Sequence, residues 1–227
     1  MNRPWHELIH DEDAIELVRA WAEAAPHPVE LLPRREQAGR RALAALQVTT
    51  RSPLGAVAYH TGGLLVDRGF LRVLGAGGPR LPRAIDEWNG PGGFTRCVHG
   101  PLVADDVVGG FFAWFAEPQT IHYFAPDTLA WEDTELGYSD WLQTMLGDGF
   151  AGFYRELRWA GWEQEVAGLG ADHTFSWLPP LVAQGPPLSE RSRASVPVEQ
   201  AWSFNQELGQ KLRDLPDGAT FQIDWIE

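Results

Sequence analysis

The sequence predicts an α+β fold with a mostly antiparallel central sheet and helices packed on it, on three observations. Between residues 64 and 131, short apolar runs (LLVD, FLRVL, VVGGFFAWF, TIHYFAP) follow one another across brief connections, too short for the crossovers that parallel strands need. Stretches with 3.6-residue apolar spacing lie on either side, at 11–25 and 198–212. No internal repeat or low-complexity tract divides the chain, so residues 1–227 read as a single α+β domain.

Taken in order, the first clear helix is predicted over 11–25. Acidic residues open it, favouring the positive end of the helix dipole, and Ala14, Val18, Trp21, Ala22 and Ala25 share one face. Pro26-His27-Pro28 stops it. Residues 34–41 are polar and basic, and ALAALQVTT (42–50) reads as an apolar strand or a short helix leading into one. Ser52-Pro53 is an N-cap followed by proline at the first helical position, opening a helix LGAVAYH that ends at Gly62-Gly63. LLVD and FLRVL, split by Asp67-Arg68-Gly69, form a hairpin. AGGPRLP is a loop, AIDEWN a short helical turn, and NGPGG (89–93) another loop.

From Phe94 to Trp131 a strand meander is expected, with Glu117-Pro118-Gln119 as a hairpin turn and a bulge or close backbone approach at Gly109-Gly110. Tyr138-Ser139-Asp140 caps a helix carrying Trp141, Leu142, Met145 and Leu146, and a further helix is predicted from Phe150 to Trp159. Residues 172–195, with Pro179-Pro180 and Gly185-Pro186-Pro187, are the best loop candidate. Val198–Leu212 is a strong helix, Pro216-Asp217-Gly218 a turn, and TFQIDWI a closing strand.

Composition narrows the function classes. The formal net charge is -13, from 31 acidic against 18 basic residues. Nucleic acid and anionic membranes select for clustered Lys and Arg, so neither is expected as a partner, whereas a basic protein is. No apolar run reaches bilayer length and the N-terminus has no apolar leader, so cytoplasmic residence is expected. The single cysteine, Cys97, excludes an intramolecular disulfide and a multi-cysteine metal site. If 96–99 is a strand, Cys97 and His99 share a face.

HELIH (residues 6–10) matches the H-E-x-x-H pattern of zinc proteases, in which two histidines one helical turn apart hold the metal. Only five residues precede it, Asp11-Glu12-Asp13 follow, and no third ligand has metalloprotease spacing. The reading is therefore a helical turn anchored by Leu8 and Ile9, with no metal and no other cofactor. There is no G-x-S-x-G, and the glycine pairs lack a following Lys-Ser/Thr, so no catalytic residue is assigned. The paired carboxylates Asp105-Asp106 and Glu132-Asp133 fall at expected strand ends or turns, where solvated acids are usual. TTRSPLG places Thr49, Thr50, Arg51 and Ser52 at a helix N-terminus, a favourable anion position. His60, at the other end of that helix, is expected to satisfy its last carbonyls.

The runs LQVTTRSPLGAVAYHTGGLLVDRGFLRVLGAGGPRLPRAIDEWN, PLVADDVVGGFFAWF, YFAPDTLAWEDTELGYSDWLQ and FYRELRWAGWEQEV resemble an uncharacterised bacterial domain-of-unknown-function family over nearly the whole chain. More distantly, DDVVGGFFAWF, TIHYFAPDTLAW and YSDWLQTML are similar to the SUKH superfamily, over roughly residues 42–146. That resemblance implies a SUKH-like sheet core at 42–146, leaving 147–227 as a C-terminal helical extension ending in a strand. It also implies the role of many bacterial members, immunity proteins that neutralise toxins without catalysis. The leading expectation is thus a non-catalytic protein-binding module for a basic partner such as a toxin. The alternative is a small-molecule binder or small enzyme with a pocket around Arg51, Tyr59 and Asp105. For either, the candidate binding residues are Thr49, Arg51, Tyr59, His60, Trp88, Asp105 and Asp106.

Overall fold

The computed structural model describes residues 2–90 and 96–214. Seven strands form one antiparallel meander in chain order: β1 (Val29–Leu32), β2 (Gly63–Val66), β3 (Leu71–Leu74), β4 (Leu102–Asp106), β5 (Phe111–Trp114), β6 (Ile121–Ala125) and β7 (Ala130–Asp133). A separate hairpin pairs β8 (His173–Leu178) with β9 (Ser192–Pro197). The helices are α1 (Ile15–Glu23), α2 (Ala38–Leu46), α3 (Pro53–His60), α4 (Ile85–Asn89), α5 (Tyr138–Leu146), α6 (Gly149–Phe153), α7 (Trp162–Ala167) and α8 (Val198–Arg213). The α+β class, the antiparallel sheet and the hairpin over 63–74 are as the sequence predicts.

Both faces of the sheet are covered, and strand alternation sorts the side chains between them. Phe112 and Tyr123 are cross-strand partners on one face, where Phe112 meets Trp141 of α5 and both meet Phe153 of α6. Phe111 and Phe124 are partners on the other, where each meets Trp202 of α8. The β8–β9 hairpin is tied to this second side by bonds from Phe175 N to Val107 O and from Trp177 Nε1 to Val108 O. Ser52 caps α3 as expected, its hydroxyl accepting from Gly55 N at 3.1 Å.

Several expectations are corrected. The sheet begins at β1, within a stretch the sequence left unassigned, so its core is not confined to 42–146. Residues 42–50 are not a strand: α2 starts at Ala38 and stops where Gln47 turns left-handed, at φ 55. The predicted helix from Phe150 to Trp159 breaks into α6 and a 3-10 turn at Arg155–Leu157. Gly137, not Tyr138-Ser139-Asp140, holds the cap position of α5. Gly109-Gly110 lies in the β4–β5 turn and the register shift falls between Leu102 and Ala104, so the bulge is elsewhere, but the close approach expected there is present: a Cβ at Gly110 would collide with the Tyr123 ring.

The largest correction concerns 172–195, predicted as loop. Its prolines and glycine are confined to the connection, and the flanks pair as β8 and β9, so residues after 147 are not simply a helical extension. Arg191 closes that connection by donating to the carbonyls of Pro179, Pro180, Ala183 and Pro186. The expected closing strand TFQIDWI, the turn at 216–218 and most of NGPGG lie outside the described residues. No helix among the described residues is long and apolar enough to cross a membrane.

Candidate functional site

β4 carries the first surprise. Asp105 and Asp106, expected as solvated strand-end acids, are 1% and 0% exposed. Because β4 is covered on both sides, consecutive residues are buried in opposite directions, and each carboxylate needs its own partners. Asp105 faces Arg72, its neighbour across β3, which donates Nε to Oδ1 at 2.7 Å. Arg83 donates to the same carboxylate, at 2.5 Å to Oδ2. Both guanidiniums then reach the hairpin side, Arg72 to His173 O at 2.9 Å and Arg83 to Ala171 O at 2.8 Å. Asp105 is thus the buried counter-charge of two arginines that join sheet to hairpin.

Asp106 points to the opposite side. Its Oδ1 accepts from Val108 N and Gly110 N, and its Oδ2 from the hydroxyls of Tyr123 at 2.8 Å and Tyr154 at 3.2 Å. Burial, outweighing these bonds, raises the Asp106 carboxyl above its ordinary value. Burial and the carboxylate beside them push both tyrosine hydroxyls well up, so they remain donors. A carboxyl raised on folding contributes stability fully below its unfolded value near 4, and loses it as pH rises through the folded value. Asp106→Asn, which stays neutral, is therefore expected to lie within about 1 kcal/mol of wild type at acidic pH. It should gain on wild type as pH rises; urea titrations across pH showing a flat difference would refute this.

Tyr123 links this network to a cleft beside the sheet. Its hydroxyl bonds Asp106 while its ring lines a cavity of about 610 Å³ between β6–β7 and α5–α6. Trp141 and Phe153 complete an aromatic floor, and Gly149 and Gly152 belong to the α6 wall. A Cβ built at Gly152 meets nothing within 4 Å, so that wall is open. Four carboxylate residues, Asp127, Glu132, Asp133 and Glu156, line the cleft, and none of its lining residues is cationic. A backbone bond from Glu135 N holds the Asp133 carboxyl below its usual value. The buried indole Nε1 of Trp141 has no hydrogen-bond partner among the described residues.

The candidate residues read from the sequence fall into two neighbourhoods. Trp88 joins Asp105 through Arg83, whose guanidinium lies 5.1 Å from the indole centroid, and Arg96 stacks on the same ring at 3.8 Å. Asp106 is on the reverse of that strand. Thr49, Arg51, Tyr59 and His60 belong to a different, N-terminal assembly. There Arg51 pairs with exposed Glu12 at 3.1 Å, and Arg34 lies over the Tyr59 ring at 4.6 Å. His60 bonds Asp13 at 2.7 Å, not the helix carbonyls expected for it. The TTRS run pins the N-terminus: Thr49 O accepts from Ser52 N, and buried Thr50 bonds Leu8, His10 and Ala14. Arg51 and Asp105 take separate partners, so the structure does not bring together the sequence-derived pocket of Arg51, Tyr59 and Asp105.

The remaining candidates resolve simply. Residues 5–8 of HELIH's neighbourhood form a 3-10 turn that stops at Leu8, and Ile9 is extended, so His6 and His10 share no helical face. Leu8 is fully buried. Cys97 is buried, which pushes its thiol up, while His99 stacks on Phe115 instead of pairing with it. No cluster of three or more His, Cys, Asp or Glu able to hold a metal occurs among the described residues. Sequence reasoning weighed Glu132-Asp133 but missed Asp127, Glu156 and the aromatic floor. The acid run WEDTE after an aromatic strand was the one available signal.

A family model described as "Protein of unknown function DUF2625" matches residues 6–201. The chain is 37% identical over 212 residues to "Putative uncharacterized protein YbfG" of Escherichia coli (strain K12), covering 91% of this chain and 97% of that protein. It is 32% identical over 194 residues to an "Uncharacterized protein" of Haemophilus influenzae, covering 82% and 85% respectively. No solved structure matches.

Proposed function

Since the chain belongs to the family described as protein of unknown function DUF2625, we propose from its own chemistry that it is a non-catalytic binding module for a cationic protein segment. One observation carries this: a cleft of about 610 Å³ with four carboxylate residues and no cation in its lining, over an aromatic floor. A lysine or arginine side chain entering it meets carboxylates at the rim and the half-buried ring of Phe153 below, the two kinds of group that attract a cation. The net charge of -13 adds long-range steering toward a basic partner. The distant resemblance to SUKH-type immunity proteins supports the same reading, and names a basic toxin as one partner of this kind. Cytoplasmic residence accords with it.

The alternative of an enzyme lacks a comparable observation. Asp105 and Asp106 are saturated by protein donors, and Cys97 is buried away from any cleft described here. The test is calorimetric titration with an oligo-lysine or oligo-arginine peptide. Saturable binding that weakens with salt is expected, because exposed carboxylates act through screened charge. Asp127→Asn combined with Glu156→Gln should lower the affinity by about tenfold, each exposed pair contributing up to about 1 kcal/mol. Absence of saturation, or equal affinity in the double variant, would overturn the proposal.

A further inference from the structure

Away from the acidic cleft, three arginines from three segments converge on one small crevice. They are Arg68 in the β2–β3 turn, Arg72 in β3 and Arg80 in the loop that follows, around a volume of about 190 Å³. In a chain with 18 basic residues against 31 acidic ones, that convergence runs against the overall charge. The carboxylates nearby do not use up the guanidinium donors. Asp67 is shared between Arg68 at 3.1 Å and Arg158 at 2.6 Å, just as Asp105 is shared between Arg72 and Arg83. Among the described residues Arg80 pairs with Glu30 alone, and their side chains are 59% and 51% exposed. Asp172 stands near the rim, bonded to His173, and Asp106 is turned to the tyrosines on the other side.

The geometry fits an incoming anion. Arg72, 1% exposed, is a fixed buried charge with four of its five N–H donors on Asp105, His173 O and Asp106 O. Arg68 and Arg80 each donate a single bond among the described residues and keep planar forks with N–H groups to spare. Arg68 is held at the turn in a left-handed conformation, φ 63, between Asp67 and Gly69, which are also at positive φ. Glycines 69 and 170 belong to the walls, leaving backbone accessible where a side chain would fill space. The volume lies below the 300–1,000 Å³ typical of pockets for whole drug-sized ligands, so one oxyanion group fits and a nucleotide does not.

We propose that this crevice binds a single phosphate-type oxyanion, gripped by the forks of Arg68 and Arg80 over the fixed charge of Arg72. Guanidinium is the side chain whose donor geometry matches such an anion bidentately. The proposal is independent of the cation-binding cleft and stands if that reading fails.

The experiment uses the full chain at constant ionic strength, exchanging chloride for inorganic phosphate, with calorimetry and thermal unfolding as readouts. Saturable binding and a matching rise in melting temperature are expected. Arg68→Ala with Arg80→Ala should weaken binding by tenfold or more while leaving the phosphate-free melting temperature nearly unchanged. Arg80→Ala alone, with its exposed side chain, gives a second reading should the double variant fail to fold. O-phosphoserine separates the sources: tighter binding than inorganic phosphate assigns a phosphoryl group carried on a larger molecule, and weaker binding assigns the free ion. If neither saturates, or if the arginine variants bind as wild type does, the crevice is not an oxyanion site.

Discussion

Asp105→Asn is expected to lower the unfolding free energy by about 3–5 kcal/mol, the cost of leaving buried charge without its counter-ion. Asparagine keeps the shape and removes the charge, so Arg72 and Arg83, with side chains 1% and 10% exposed, face a neutral amide. One edge of that amide is itself a donor, set against donors. With so little of either guanidinium exposed, water compensates only poorly for the lost charge. Urea unfolding followed by tryptophan fluorescence measures the loss. A loss below about 1 kcal/mol would show that the two arginines find other acceptors, and would remove Asp105 from its place as the join between layers.

The neighbouring substitution makes the comparison sharp. Asp106→Asn alters a carboxyl of the same strand and the same burial, yet its partners are two amides and two hydroxyls, not guanidiniums. Hydroxyls can turn from donating to accepting; guanidiniums cannot. Two adjacent aspartates, one change of sequence letter each, should therefore differ several-fold in cost. Replacing Arg72, Asp105 and Arg83 together by apolar residues should recover only part of the loss. Such exchanges are often neutral in other cores, but here the carbonyls of His173 and Ala171 also lose an arginine donor, and Asp106 O is left with the Thr174 hydroxyl alone.

This contrast explains what was legible in the sequence. Elements governed by neighbours in the chain were: Ser52-Pro53 announces α3, the split apolar runs announce β2 and β3, and the spacing from Val198 announces α8. Where distant residues decide, the reading failed. Nothing beside Asp105 reveals Arg72, which lies 33 residues earlier and meets it only through strand register. VELL is four residues between prolines, too short to be told from loop until β2 pairs with it. In 172–195 the prolines dominate the local signal, although they occupy only the connection and the flanks alternate as strands. The cleft has the same origin: Asp127 lies in the β6–β7 turn, Glu132 in β7, Glu156 follows α6, and only the packing of α5–α6 on Tyr123 assembles them.

Trp141 tests that assembly with the second large effect. Trp141→Ala should cost about 3–5 kcal/mol, the range for deleting a fully buried large aromatic side chain. The indole is packed against Phe112 at 5.1 Å and Tyr138 at 5.6 Å, and it forms part of the cleft floor. Trp141→Phe should cost far less, below about 2 kcal/mol, because two terms oppose. Volume is lost, but so is a buried Nε1 without an acceptor, and an unsatisfied buried donor costs about 1–3 kcal/mol. Binding of a cationic peptide should follow the same order, since phenylalanine still supports Phe153 and Tyr123 from beneath the floor and alanine leaves them unsupported. Thermal and urea unfolding of the two variants, with the peptide titration alongside, settle the point. If phenylalanine is as damaging as alanine, the indole N–H is bonded in solution, and the cleft floor holds an acceptor for it, such as a bound water.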